Sequence, residues 1–117
     1  MPQRHRVATV GDIPPGEMKG VLAGMKPVLL ANIKGRIYAI GDLCPHLYIP
    51  LSRGRLNGSV VTCPAHGSKF DVCTGEVVEW VTEKYPLGAE ALLKLKARKR
   101  AITYKVEIVG KDVFVEV

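Results

Sequence analysis

Residues 44–70 read CPHLYIPLSRGRLNGSVVTCPAHGSKF. In this stretch Cys44-Pro45-His46 is followed, after sixteen residues, by Cys63-Pro64-Ala65-His66-Gly67. Two soft thiolates and two imidazoles on two tight loops can hold zinc or an iron–sulfur cluster. The first arm leaves one residue between Cys44 and His46, whereas like ligands of zinc fingers are usually about two to four residues apart. A one-residue gap suits two side chains that reach different atoms of a two-metal cluster. The second arm, with two residues between Cys63 and His66, does the same from the other side. Pro45 and Pro64 stiffen the arms and remove an amide donor from each. Gly41, Gly54, Gly58 and Gly67 supply the backbone turns that tight loops need.

Outward from these loops the chain reads as β. Arg4–Val10 is a first strand, and Asp12-Ile13-Pro14-Pro15-Gly16 a turn. Val28–Ile33 is a continuous apolar run; Asn32-Ile33-Lys34-Gly35 has hairpin chemistry, and Arg36–Ile40 returns. Val60–Thr62 and Lys69–Val72 are short strands. Thr103–Val109 alternates Tyr104, Val106 and Ile108 against Thr103, Lys105 and Glu107, and Gly110-Lys111-Asp112 turns the chain into Val113–Val117. The expected architecture is all-β, an antiparallel sandwich base carrying a small inserted subdomain at about 41–80, where periodicity fades and the candidate ligands crowd together. In Gly88–Ile102, Ala89, Leu92, Leu93 and Ala97 have helical spacing, so a short helix is expected near residues 88–100. Lys96 interrupts its apolar face, and Leu93–Ala97 also alternates like a strand.

At 117 residues, 47% of them hydrophobic, the chain is a single domain, 1–117, with enough apolar material for a core. Its apolar runs, such as Val28–Ala31, fall far short of the roughly 20 residues that cross a bilayer, and the basic start, Met1 to Arg6, leads into no signal peptide. No membrane anchor and a cytoplasmic location are the expectation. Three cysteines cannot all pair, and a reducing compartment favours ligation over cross-linking. The formal charge of +6 calls for an acidic partner, nucleic acid or an anionic surface.

From Val7 to Val117 the sequence resembles a Rieske-type 2Fe–2S ferredoxin. The matching pieces are Ile13-Pro14-Pro15-Gly16-Glu17, Cys44-Pro45-His46, Pro50-Leu51-Ser52, Gly54-Arg55-Leu56, Cys63-Pro64-Ala65-His66-Gly67-Ser68, Phe70-Asp71 and Thr74-Gly75. The resemblance implies that Cys44 and Cys63 bind one iron and that His46 and His66 bind the other, nearer the surface. Pro64, Gly67, Ser68 and Phe70 would surround those ligands. It also implies a one-electron carrier between a flavin reductase and a terminal oxygenase, and not an enzyme in its own right. The small redox subunit of a nitrite reductase-like enzyme is the related alternative.

With two thiolates the oxidised site is neutral and the reduced one carries −1, so Rieske potentials, about −150 to +300 mV, lie above the roughly −400 mV of plant-type ferredoxins. In respiratory Rieske proteins two further cysteines tie the loops together; Ile49 and Ala65 stand at those positions here. Of the two hydroxyls that those proteins aim at sulfur, Ser68 keeps one and Phe70 lacks the other. The resemblance therefore implies a potential in the lower half of the Rieske range.

Several residues stand apart from the motif. Cys73 reads as a buried thiol, His5 as a solvated side chain, and Trp80 and Tyr85 as packing residues. Tyr48 and Ile49 are bulkier than the residues that commonly follow the first histidine, and they form an apolar rim. Gly88–Ile102 is longer than the corresponding stretch of short family members. It carries Lys94, Lys96, Arg98, Lys99 and Arg100 against Glu90, a net +4 that leaves only +2 for the rest of the chain. These five cations are candidates for docking an acidic redox partner, the alternative being a solvated face. A different class of reading is a zinc-stabilised interaction module. Aromatic residues are few and not interleaved with the basic run, so no nucleic-acid partner is expected. Colour separates the two: the protein is expected to purify brown, with a paramagnetic signal on reduction, and Cys44→Ser to be colourless and less stable. Colourless, zinc-loaded wild-type protein would contradict this.

Overall fold

An unbroken apolar run cannot form a strand with one wet face, because alternate side chains point to opposite sides and both sides must then be covered. The computed structural model describes residues 3–43, 50–64, 68–79 and 101–117. In it the run lies in a strand with Val28, Leu29, Leu30 and Ala31 all fully buried.

The strands in chain order are β1 (Arg4–Thr9), β2 (Met18–Ala23), β3 (Lys26–Ile33), β4 (Arg36–Gly41), β5 (Arg55–Asn57), β6 (Val60–Thr62), β7 (Lys69–Asp71), β8 (Val77–Glu79), β9 (Thr103–Val109) and β10 (Asp112–Glu116). They form two antiparallel sheets. One has the order β1-β10-β9-β4-β3-β2, the other β5-β6-β7-β8. The small sheet thus lies wholly between β4 and β9 in sequence, as an insertion in the larger one. The described residues contain no α-helix, only 3-10 turns at Val10–Asp12 and Leu51–Arg53. None of their helices is long and apolar enough to cross a membrane. The helix expected near 88–100, and Trp80 and Tyr85 with it, fall outside the described residues.

Local chemistry sets the register. Lys34 and Gly35 both have positive φ, 55° and 92°, which makes the β3–β4 connection the two-residue turn that matches strand twist. Asn32 fixes it: its Oδ1 accepts the Gly35 N–H at 2.8 Å, while its Nδ2 donates to the Ile13 carbonyl at 2.7 Å. At the far ends of the large sheet, His5 of β1 rests on the β2–β3 turn. A Cβ at Gly24 would lie 3.2 Å from its Cε1. His5 is therefore half-buried at a closing seam, not solvated as expected.

Period-two alternation divides β3 between two cores. Val28 and Leu30 join Ala8, Ile13, Ile37, Ala39, Val113 and Val115 inside the large sheet. Leu29 and Ala31 join Ile40, Leu51, Val61, Cys63, Phe70 and Val72, on the side of the small sheet. Truncating either leucine to alanine is expected to cost about 2–5 kcal/mol, read by urea denaturation. The two should differ in where they loosen the chain. Leu29→Ala should raise amide exchange at Val61, Cys63 and Val72, and Leu30→Ala at Val113 and Val115. Identical exchange maps would contradict the division.

Candidate metal centre

Each candidate loop rises from a hydrogen-bonded base. Beyond β4, Leu43 and Pro50 form an antiparallel bridge, and the Leu51 N–H donates to the Asp42 carbonyl, closing the loop 44–49. The chain then enters the 3-10 turn Leu51–Arg53, where Gly54 N–H donates to the Leu51 carbonyl at 2.9 Å. The second loop is the tip of the β6–β7 hairpin. Above the Thr62–Lys69 pair, Cys63 N–H donates to the Ser68 carbonyl at 2.7 Å, leaving residues 64–67 as the tip.

The two bases touch. A Cβ at Gly54, just past the first loop, would overlap the carbonyl oxygen of Thr62, the residue before Cys63. Only glycine lets the backbones approach so closely. Leu51 and Cys63, 0% and 1% exposed, share one apolar cluster with Phe70. A cluster that takes one thiolate and one imidazole from each loop needs the two loops held side by side, and this arrangement supplies that. The donor chemistry and the adjoining bases both fit a 2Fe–2S group.

Of the residues singled out in the sequence, Cys63 is buried at the end of β6 and Pro64 beside it is exposed. Ser68, just before β7, and Phe70 within it are both fully buried. Cys44, His46, His66, Gly67, Tyr48, Ile49 and the five cations from Lys94 to Arg100 lie outside the described residues. The sequence reading passed over Asp42. It is 7% exposed at the foot of the first loop, with Oδ1 accepting the Ser52 N–H and Oδ2 bonded to the Ser52 hydroxyl, both at 2.8 Å. An acidic residue two positions before a cysteine gives no periodic signal, and its partner ten residues on is adjacent only once the loop has closed.

Comparison with known proteins gives one consistent result. Residues 3–96 match the family model of the Rieske [2Fe-2S] domain. The ferredoxin component of a naphthalene 1,2-dioxygenase system from Pseudomonas aeruginosa is 34% identical over 105 residues, 90% of this chain and 86% of that protein. A ferredoxin component of naphthalene 1,2-dioxygenase/salicylate 5-hydroxylase systems from Ralstonia sp is 41% identical over 71 residues, 61% and 68% of the two chains. Among solved structures, a chain in the complex of reduced oxygenase and oxidized ferredoxin in carbazole 1,9a-dioxygenase superposes with a TM-score of 0.74. The identity is 28%, over 96% of this chain and 91% of that one.

The third cysteine, Cys73, packs at the edge of the apolar cluster that holds Cys63. Cys73 is half-buried, not fully buried as expected, and its N–H donates to Asp71 Oδ1 at 2.8 Å. Burial raises its thiol above the ordinary value and the Asp71 charge adds to this, while a hydrogen bond with Tyr38 works the other way. Alkylation by iodoacetamide at pH 8 should therefore be slower at Cys73 than at cysteine in a short peptide, and slower again in Tyr38→Phe, which loses the bond that favours thiolate. Peptide mass spectrometry reads both rates. Faster labelling of Tyr38→Phe would contradict the assignment.

Proposed function

The chain belongs to the Rieske [2Fe-2S] domain family, and on that premise we propose that Cys44 and Cys63 hold one iron of its cluster, and His46 and His66 the other. The protein is a one-electron carrier, a ferredoxin-type component of a multicomponent oxidoreductase, and not itself the enzyme. When bound, the cluster supplies a single-electron couple. The polypeptide contributes the rest. The apolar wall of Leu51, Cys63 and Phe70 keeps water from the cysteine side. The two hydrogen-bonded bases fix the ligand arms, which limits the rearrangement that accompanies a change in charge. Ser68 retains a hydroxyl at the base of the second arm, and Phe70 places a ring without one two residues later.

The observation that carries this reading is the adjoining of the two loop bases, at Gly54 against Thr62 and at Leu51 beside Cys63. The electron path runs from a flavin reductase to an oxygenase, whose docking surfaces are acidic where they meet the cations Lys94, Lys96, Arg98, Lys99 and Arg100. Two backbone bonds favour that role. After the basic run the chain re-enters at Ala101, whose N–H donates to the Gly75 carbonyl, and at Ile102, whose carbonyl accepts the Gly41 N–H, each at 2.8 Å. Gly41 lies three residues before Cys44, so the last cations stand close in sequence to an anchor at the foot of the first loop. A cytoplasmic location agrees with an odd number of cysteines and with the company of soluble redox enzymes.

Replacing Lys94, Arg98 and Arg100 together by glutamate tests the electrostatic part. Electron delivery from a dioxygenase-system reductase, followed by stopped flow through bleaching of the cluster, should slow at least about tenfold at low ionic strength and lose most of its salt dependence. An unchanged rate would leave the basic run as a solvated face.

A further inference from the structure

Asp42 makes a contact that the closure of an ordinary hairpin does not need. In an antiparallel base the backbone normally supplies both directions of hydrogen bonding. At the first loop Leu43 and Pro50 form the non-hydrogen-bonded kind of pair, flanked by the Leu51 N–H donating to the Asp42 carbonyl, so the proline removes no ladder bond. The Asp42 side chain adds a second tie one residue further on. Its carboxylate receives the Ser52 N–H on Oδ1 and meets the Ser52 hydroxyl on Oδ2, while the Asp42 backbone N–H donates to the Pro27 carbonyl at 3.1 Å and its carbonyl accepts the Leu51 N–H. One residue is thereby tied to β3 on one side and to the returning arm of the loop on the other.

The large sheet is shaped around this pair. A Cβ at Gly20, on edge strand β2, would lie 2.6 Å from Ser52 Oγ and 2.9 Å from Asp42 Oδ2. Any side chain there would push the pair apart. Beside it a cavity of about 340 Å³, lined by Gly20, Leu22, Pro27, Asp42, Pro50 and Ser52 among others, opens towards solvent. The base of the second loop is closed by the backbone bond from Cys63 to Ser68.

We propose that Asp42, clasping Ser52 across the base of residues 44–49, is the positioning residue for the first ligand arm, and that this clasp sets how fast the arm releases its metal. The inference rests on the ligand assignment for Cys44 and His46.

The test uses the iron-loaded protein, reduced under anaerobic conditions, in four forms: wild type, Asp42→Ala, Asp42→Asn and Ser52→Ala. Release of iron to an excess of a ferrous chelator is timed, and the paramagnetic spectrum of the reduced protein is recorded. Loss of two hydrogen bonds to the carboxylate should speed release about tenfold or more in Asp42→Ala, and loss of one about threefold in Ser52→Ala. Asp42→Asn keeps an oxygen for the Ser52 N–H and offers an amide N–H to Oγ. It should stay within about twofold of wild type and restore the line shape that Asp42→Ala broadens. Should Asp42→Ala fail to fold, Ser52→Ala decides through the same readings. Wild-type release from the truncated variants, or no rescue by asparagine, would overturn the clasp alone. A wild-type protein lacking the Rieske signal would overturn the ligand assignment, and the clasp with it.

Discussion

Everything in this molecule leans on the double burial of β3. A strand with Val28 and Leu30 on one face and Leu29 and Ala31 on the other has to be covered from both sides. Only one side can be covered by the sheet to which the strand belongs. The other is covered by the small sheet that carries the second loop and by Leu51 at the foot of the first. Burying a leucine or valine side chain is worth about 1.5–3 kcal/mol, so the residues that complete the large sheet's hydrophobic surface also fix where the bases of the two candidate loops stand. Site and scaffold share one core, and cannot be loosened independently from the Leu29 side.

Such sharing suits electron transfer more than catalysis. A carrier gains from ligands that move little when the charge at the site changes, and none of its residues has to swing towards a substrate. The second loop starts from the β6–β7 ladder, extended by the backbone bond from Cys63 to Ser68. The first starts from the Leu43–Pro50 bridge, to which the Asp42–Ser52 side-chain pair is added.

Much of this was readable from residues. Paired Cys/His arms pointed to the family, and apolar runs, turn residues and alternation located β1, β3, β4, β6, β7, β9 and β10 to within about two residues at each end. Three strands escaped notice. β2 reads Met18-Lys19-Gly20-Val21-Leu22-Ala23, with no clean alternation, because Gly20 is small to admit Ser52 and Asp42 rather than to suit a strand. β5 and β8 are three residues each, within the stretch 41–80 where periodicity fades. Asp42 and Gly20 share a reason for having been missed: each answers to a neighbour that only tertiary structure provides. Cys73 and His5 were judged by their local sequence, and both proved half-buried against distant elements.

The basic run 88–102 shows how such a fold accepts new chemistry. Both of its return anchors are backbone hydrogen bonds, Ala101 to Gly75 and Ile102 to Gly41, which are indifferent to the side chains that precede them. Gly75, at φ +77° with a would-be Cβ overlapping the Ala101 carbonyl, shows how close the re-entry is. Ala101 is itself buried in the apolar cluster of Leu29, Phe70 and Cys63. The return is thus fixed from Ala101 onward, and the sequence ahead of it can change length and charge without moving that fixed point. Partner choice can then be set by electrostatics at low cost to the core, because a net +4 on such a segment acts on association over about a Debye length, roughly 8–10 Å, while the apolar contacts around β3 act only at van der Waals range. On the proposed reading, the two functions of a carrier, holding an electron and meeting a partner, would be divided between parts of the chain governed by forces of different reach.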